Sequence, residues 1–404
     1  MINYGRHYLD SDDIESVVKT LKSDFITQGP YIKKFENALK KKIRSKYCSV
    51  LSNGTAALHL VGLSLGWKPG DIVLTTPISF LSTSNCILYS GATPHFVDID
   101  NLSYTIDVNK LEKKIKFFKS SNKKISAIIA TDFAGHPCDW KVLKSISLKY
   151  NIYLVNDNCH AIGSSYHGDT GYAAKYADLV THSYHAVKHI TTGEGGAIFT
   201  KHASIDRKIK LLRSHGVTRE ARQMFSNDGP WYYEMQELGY NYRITDFQCS
   251  LGLTQLKKLN KFLKKRREIA KIYNNEFRGD DRFVIPKTNK NIHHSYHLYP
   301  LLVKFEKLKI KKKELFKKMA KKKINLQVHY IPIHLQPFYK KKYNYKFIEI
   351  DVEHFPRLHG RTSYNFFDKL IISIKQFLSK TTSTSLCIVL KGFPLRMEFL
   401  SPES

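Results

Sequence analysis

Short apolar runs alternating with helix-patterned stretches constrain this chain more than any other feature. Ile72-Val73-Leu74, the segment ending at Phe96-Val97-Asp98, Ile125 to Ala130 and Tyr153-Leu154-Val155-Asn156-Asp157 all have strand character, and stretches such as Val142 to Tyr150 carry helical spacing between them. That alternation specifies an α/β fold with a mostly parallel sheet. Ligands bind beyond the carboxyl ends of the strands in such sheets, so Asp157, the last residue of its run, is well placed for chemistry.

A second stretch singles out one lysine. Leu179-Val180-Thr181-His182-Ser183 reads as a strand, Ala197-Ile198-Phe199 as another, and Lys188 lies in the connection, just before Thr191-Thr192-Gly193-Glu194-Gly195-Gly196. Taken alone it reads first as a surface lysine of a hairpin. A lysine desolvated between two buried strands has a different chemistry: its ammonium is disfavoured, its pKa falls, and the free amine can form a Schiff base with a carbonyl.

The remaining elements follow from local patterns. Ser11 to Leu21 reads as a capped amphipathic helix with Ile14, Val17, Val18 and Leu21 at helical spacing. After the turn-rich Asp24 to Pro30, Pro30 can open a second helix that buries Ile32, Phe35 and Leu39. Tyr47 to Ser52 reads as a strand, Asn53-Gly54-Thr55 as a turn and Ala56 to Leu60 as a helix. Such a junction is either a plain structural turn or an anion site, because free amides and the helix dipole converge on one spot. A long helix carrying Leu251, Leu253, Leu256 and Leu259 could link two domains, and Tyr296 to Val303 reads as a strand.

Composition removes several function classes. The 404 residues suffice for two domains, with 42% hydrophobic residues. No run of 18 or more apolar residues appears, and Met1-Ile2-Asn3-Tyr4-Gly5-Arg6 lacks the layout of a signal peptide, so a cytoplasmic protein with no membrane partner is expected. The six cysteines (Cys48, Cys86, Cys138, Cys159, Cys249, Cys387) form no C-x-x-C pair; they read as reduced, mainly buried thiols, with no metal site. A formal charge of +30 invites a nucleic-acid reading, but the lysines fall on solvated helix faces such as Lys311 to Lys313 and Lys321 to Lys323, without a nucleic-acid motif. A positive surface could instead draw in an anionic small substrate.

Asp157, Lys188 and the Gly54-Thr55 turn share one explanation. A carboxylate for a protonated pyridine nitrogen, a lysine for a carbonyl and a phosphate cradle are the three needs of pyridoxal 5'-phosphate. With them on the page, the sequence resembles the DegT/DnrJ/StrS family of sugar aminotransferases. The matching stretches are Ser23 to Gly29, Asn53 to Leu58, Gly70 to Pro94, Asp157 to Gly163, Ser183 to Gly196, Gly239 to Gln255 and Gln327 to Pro337, within roughly residues 2 to 345.

The resemblance implies an aspartate-aminotransferase type fold (fold type I): a large cofactor-binding domain over residues 1–250 with an N-terminal arm, and a smaller α+β domain over 251–404. It also implies a homodimer with shared sites. By position, Lys188 would hold the cofactor, Asp157 would pair with its ring nitrogen, and Phe80 would stack on the ring. Gly54, Thr55 and Ser183 would bind the phosphate, joined by Asn241 from the partner subunit; His160, one helical step beyond Asp157, would help orient the cofactor. Tyr4, Asp24, Phe25, Ile26, Thr27, Asn53, His329 and Tyr330 match the segments that resemble substrate contacts.

Within the family, Thr75 to Phe80, Asp132-Phe133-Ala134-Gly135 and Val328 to Pro332 look most like the transaminases of pseudaminic acid synthesis. Those move the amino group of L-glutamate to C4 of a UDP-linked 4-keto-6-deoxy-N-acetylhexosamine. Two alternatives stay open: another nucleotide-4-keto-sugar aminotransferase, or a catalytically impaired paralogue that binds the cofactor. After about Tyr345 the family pattern ends, and Thr381 to Ser404 matches none of it.

Overall fold

A computed structural model describes residues 2–343 of the chain; the atypical tail and Cys387 lie outside them. In chain order the elements that build the site region are α1 (Ser11–Leu21), α2 (Pro30–Ile43), β1 (Tyr47–Leu51), α3 (Gly54–Ser64), β2 (Ile72–Thr75), α4 (Leu81–Tyr89), β3 (Thr93–Phe96), α5 (Val108–Ser120), β4 (Ile125–Thr131), α6 (Trp140–Tyr150) and β5 (Tyr153–Asp157). There follow β6 (Ser165–Tyr166), α7 (Tyr172–Tyr176), β7 (Leu179–Ser183), β8 (Gly196–Thr200), α8 (Ala203–Leu212) and α9 (Asp246–Phe277). Seven strands make one sheet in the order β1-β8-β7-β5-β4-β2-β3. Only β8 runs against its neighbours.

The sheet is covered on both faces, which explains the near-continuous apolar strands. Along β4, Ile128 and Ala130 join the core shared with α2, α5 and α6, while Ala127 and Ile129 join the core shared with α3, α4 and α8. Alternate residues of one strand thus serve opposite cores. Because most of the strands are parallel, the ends of β5 and β7 come to one edge, bringing Asp157 and Ser183 there together; the start of α3, after β1, meets them.

α9 spans two cores. Its first half packs beside α1 and α2, whereas Ile269, Ala270, Tyr273 and Phe277 belong to a second cluster with Phe283, Tyr299, Leu301, Val303, Leu315, Met319, Ile324 and Leu326. Ile2 packs on that second cluster and its backbone pairs with Ile324, with Ile2 N donating to the Lys323 carbonyl at 2.7 Å. On the helix Lys312–Lys321, Leu315 and Met319 face the cluster while Lys313 and Lys317 stay exposed, a solvated basic face as expected.

Two expectations need correction. α1 is a helix capped by Asp10, but its apolar stripe does not face the core: Ile14, Val18 and Leu21 are exposed, and Asp13 and Thr20 are buried. The cause is a polar seam with α9, in which Gln255 donates to Asp13 Oδ2 at 2.8 Å and Lys258 Nζ reaches the same carboxylate at 2.9 Å. The strand read over Tyr296 to Val303 shrinks to Leu302–Val303. Upstream of it, the backbone donates to the turn at Ala134 and Gly135 instead of pairing in a sheet: Ser295 N to Gly135 O (3.1 Å) and Leu298 N to Ala134 O (3.2 Å).

Four cysteines, Cys48, Cys86, Cys138 and Cys249, are buried free thiols, and Cys159 is partly buried. Among the described residues no helix is long and apolar enough to cross a membrane.

Candidate active site

A cavity of about 760 Å³ opens at the carboxyl edge of the sheet, within the range of small-molecule sites. Eleven of the residues singled out by sequence line it: Tyr4, Asn53, Gly54, Thr55, Phe80, Asp157, His160, Ser183, Lys188, His329 and Tyr330. Asp24, Phe25, Ile26, Thr27 and Asn241 are not brought to it; all five are exposed.

The start of α3 is shaped for an anion. The Asn53 side chain caps the helix by accepting from Ala56 N at 2.8 Å, and the first two helical residues, Gly54 and Thr55, form the cavity wall. A β-carbon on Gly54 would stand 2.8 Å from the Ser183 β-carbon, so only glycine lets helix and strand end meet this closely. The dipole of α3 adds a favourable field for negative charge at that point.

Asp157 is buried and fixed at both oxygens: Oδ2 accepts from Thr83 Oγ1 at 2.7 Å and Oδ1 from Cys159 N at 3.3 Å. His160 follows on a turn and not on a helix, because β5 ends at Asp157 and the chain is already turning at Cys159. Its ring is buried beside that of His297, centroids 4.4 Å apart, and its Nε2 lies 3.4 Å from Tyr330 Oη. Burial, then the charge of Lys188, holds His160 well below the ordinary histidine range, and His329 falls to about 4 for the same two reasons. Both rings are therefore neutral at neutral pH.

Lys188 sits in the β7–β8 connection as the sequence indicated. The turn is held from within: Tyr184 N donates to Gly195 O (2.8 Å), Thr192 N to Tyr184 O (3.0 Å) and Lys188 N to His185 O (2.9 Å). Gly193 takes φ +78°, a left-handed conformation that glycine adopts without strain. Desolvation lowers the lysine pKa from the ordinary 10.5, outweighing Cys159 and Asp157, which act the other way. In the protein without added ligands, acetylation of Lys188 by acetic anhydride should rise with pH and level off at a midpoint below 10.5. Peptide mapping by mass spectrometry reads this out, and a midpoint at or above the ordinary value would contradict the desolvated amine.

Asn241 caps no helix; Thr245 does that for α9. Its neighbours Tyr240 and Tyr242 turn inward and stack at 5.1 Å, which leaves the intervening Asn241 facing outward. The Asp24 to Thr27 loop lies close by, since Thr27 pairs with Thr245 and Asp246 N donates to Ile26 O at 2.9 Å.

Several lining residues were missed by sequence reasoning. His297 and Leu298 enter from the segment misread as a strand, and Cys159, Glu194 and Tyr242 line the cavity beside residues that were named. The Asp132 to Gly135 stretch lies behind the lining as a support: the Asp132 carboxylate accepts from Cys138 N, Trp140 Nε1, Asn156 Nδ2, Asn158 Nδ2 and Tyr172 Oη. It thereby fixes the residues on both sides of Asp157.

With this geometry in hand, the comparisons are specific. Residues 7–353 match the profile of the DegT/DnrJ/EryC1/StrS aminotransferase family. The chain belongs to this family. Among relatives of this aminotransferase, UDP-4-amino-4,6-dideoxy-N-acetyl-beta-L-altrosamine transaminase of Campylobacter jejuni is 41% identical, the match covering 84% of this chain and 86% of that one. GDP-perosamine synthase of Escherichia coli O157:H7 is 32% identical over 83% and 86%. Among solved structures, Helicobacter pylori PseC, an aminotransferase involved in the biosynthesis of pseudoaminic acid, superposes with a TM-score of 0.76 at 32% identity, covering 85% and 88%. Aminotransferases of this family depend on pyridoxal phosphate.

The residues present fit that group. Gly54 leaves a cradle that a β-carbon would fill, Asp157 supplies an oriented carboxylate, and Lys188 a desolvated amine.

Proposed function

We propose that this aminotransferase binds pyridoxal 5'-phosphate and moves the amino group of L-glutamate to C4 of a UDP-linked 4-keto-6-deoxy-N-acetylhexosamine. The product is UDP-4-amino-4,6-dideoxy-N-acetyl-β-L-altrosamine. The single observation that carries the chemistry is the convergence of Lys188, Asp157 and the Gly54–Ser183 cradle on one cavity. The substrate rests on the 41% identity to the Campylobacter jejuni transaminase.

Pyridoxal phosphate, when bound, supplies the electron sink that lets a C–H bond beside an amine nitrogen break. The protein's own residues do the rest. Lys188 Nζ would hold the cofactor carbonyl and then, released as a neutral amine, take a proton from the amino-bearing carbon of the donor and return it in the reverse direction for the sugar. Its lowered pKa keeps that nitrogen available. Asp157, held as described, would keep the ring nitrogen protonated, Phe80 would cover a ring face, and Gly54, Thr55 and Ser183 would carry the phosphate. Neutral His160 would orient the ring, while Tyr4, Asn53, His329 and Tyr330 would contact the sugar nucleotide.

Asp24 to Thr27, which meet the start of α9, and Asn241, shortly before it, are all exposed, which supports a homodimer in which they serve the neighbouring site. Asn241→Ala should then weaken cofactor binding by about 1.5–3 kcal/mol, the usual worth of a hydrogen bond to a charged group. Cofactor titration of the variant, with sedimentation of the wild type, checks this; a wild-type monomer that fills fully with cofactor would refute the shared site.

Incubation with L-glutamate and a panel of UDP-, GDP- and dTDP-linked 4-keto-6-deoxy sugars, followed by mass spectrometry, tests the substrate. Amination of the UDP sugar is expected. Preference for a dTDP or GDP sugar would reject the altrosamine assignment, and a cofactor-loaded protein inert toward glutamate would mark an impaired paralogue.

A further inference from the structure

Asp157 was singled out as the carboxylate for a ring nitrogen, but nothing in that reading says what holds the carboxylate still. In the fold it lies at the end of β5, aligned with Thr131 on β4 and Thr181 on β7. Neither of those hydroxyls has a hydrogen-bond partner among the described residues, so neither restrains it. The restraint comes from elsewhere: Thr83 Oγ1 donates to Asp157 Oδ2 at 2.7 Å, between two fully buried side chains separated by 74 positions.

The origin of Thr83 adds a second meaning to the contact. α4 begins after Phe80, which serves as its N-cap, and Thr83 N donates to Phe80 O at 3.2 Å across the first turn. The same turn therefore carries the aromatic ring that lines the cavity and the hydroxyl that grips Asp157. Three residues along a helix return to the same face, so this spacing ties two groups that must address one flat ligand from different sides.

We propose that Thr83 is a positioning residue: it locks the Asp157 carboxylate in register with Phe80. The inference rests on the reading of the cavity as a pyridoxal phosphate site. A carboxylate that loses one of its two donors is free to turn away, and a misaligned carboxylate supports a protonated ring nitrogen less well. Thr83 itself touches neither cofactor nor substrate.

The test compares Thr83→Val, which keeps the shape and removes the donor, with Thr83→Ser, which keeps the donor. Pyridoxal phosphate affinity is measured by equilibrium dialysis, and the visible band of the bound cofactor is titrated with pH. Thr83→Val should bind the cofactor about tenfold more weakly, the equivalent of a one-unit change at the ring nitrogen that Asp157 faces. Its ring-nitrogen titration should shift to lower pH by about one unit, and Thr83→Ser should restore both. Should the valine variant not fold, Thr83→Ala carries the same expectation. A wild type that binds and titrates normally beside a valine variant within twofold and unshifted overturns the role of Thr83 alone. A wild type that binds no cofactor overturns the site reading and this inference together.

Discussion

Lys188→Ala should lose activity by a factor on the order of 10⁴, the upper end of what a positioned proton-transfer group contributes. The protein should fold as before, because the turn around Lys188 is held by backbone bonds from Tyr184, Thr192 and Lys188 itself, none of which uses the lysine side chain. Lys188→Arg separates charge from basicity: a guanidinium cannot give up its proton in a protein, so arginine should be as inactive as alanine. Methylamine added to the alanine variant should recover part of the rate, since the cavity has room for a small amine where Nζ was. Single-turnover kinetics with glutamate check all three outcomes. An alanine variant within tenfold of wild type would remove Lys188 from the chemistry.

Gly135→Ala should damage the site severely, although Gly135 is not itself a candidate ligand-binding residue. Gly135 adopts φ +100°, a region closed to other residues without strain. A β-carbon there would stand 2.3 Å from Ser295 Oγ, 2.9 Å from the His160 carbonyl oxygen and 3.0 Å from Tyr296 N. Two of those three atoms are backbone, so the clash cannot be relieved by turning a side chain. Conformational strain of about 1–2 kcal/mol and overpacking of about 1–3 kcal/mol together predict a loss of roughly 2–5 kcal/mol, measured by denaturant unfolding. The contact joins the Asp132 to Gly135 support to the segment that delivers His297, so the cofactor should also dissociate faster. A variant of unchanged stability would mean that the support yields more easily than its buried hydrogen bonds suggest.

The sequence exposed those parts of the site that are local. Lys188 could be read because an apolar strand and a glycine turn flank it directly, and Gly54 because strand, turn and helix follow one another without interruption. Asp157 could be read because it ends a strand. Thr83 and His297 could not: their meaning lies in partners far along the chain, Asp157 for the first and His160 for the second. Hydrophobic periodicity misled in two places for one reason. It reports that a side chain is apolar, not what its backbone or its opposite face is doing. Ile14, Val18 and Leu21 have helical spacing yet lie on the open side of α1, because Asp13 has already committed the other face to Gln255 and Lys258. Tyr296 to Leu298 have strand-like composition, yet their backbone is held by Gly135, Ala134 and Arg266, whose Nη1 donates to Tyr296 O at 3.2 Å. The fold class survived both errors, since the alternation over residues 47–200 was strong enough to specify the sheet.

The pairing of Ile2 with Ile324 sets a clock on maturation. Tyr4 and Gly5 wall the cavity from one end of the chain while His329 and Tyr330 wall it from the other, so the ribosome must deliver both before the cavity can close. At about 5–20 residues per second, roughly 15–65 s separate the emergence of Tyr4 from that of Tyr330. Once the strands up to Thr200 have emerged, the sheet can assemble with Lys188 and Asp157 in place while Ile2 still lacks its partner Ile324. A nascent chain halted before Ile324 would thus present its reactive amine to solvent, and completion of the arm is the step that walls the open edge of a folded sheet.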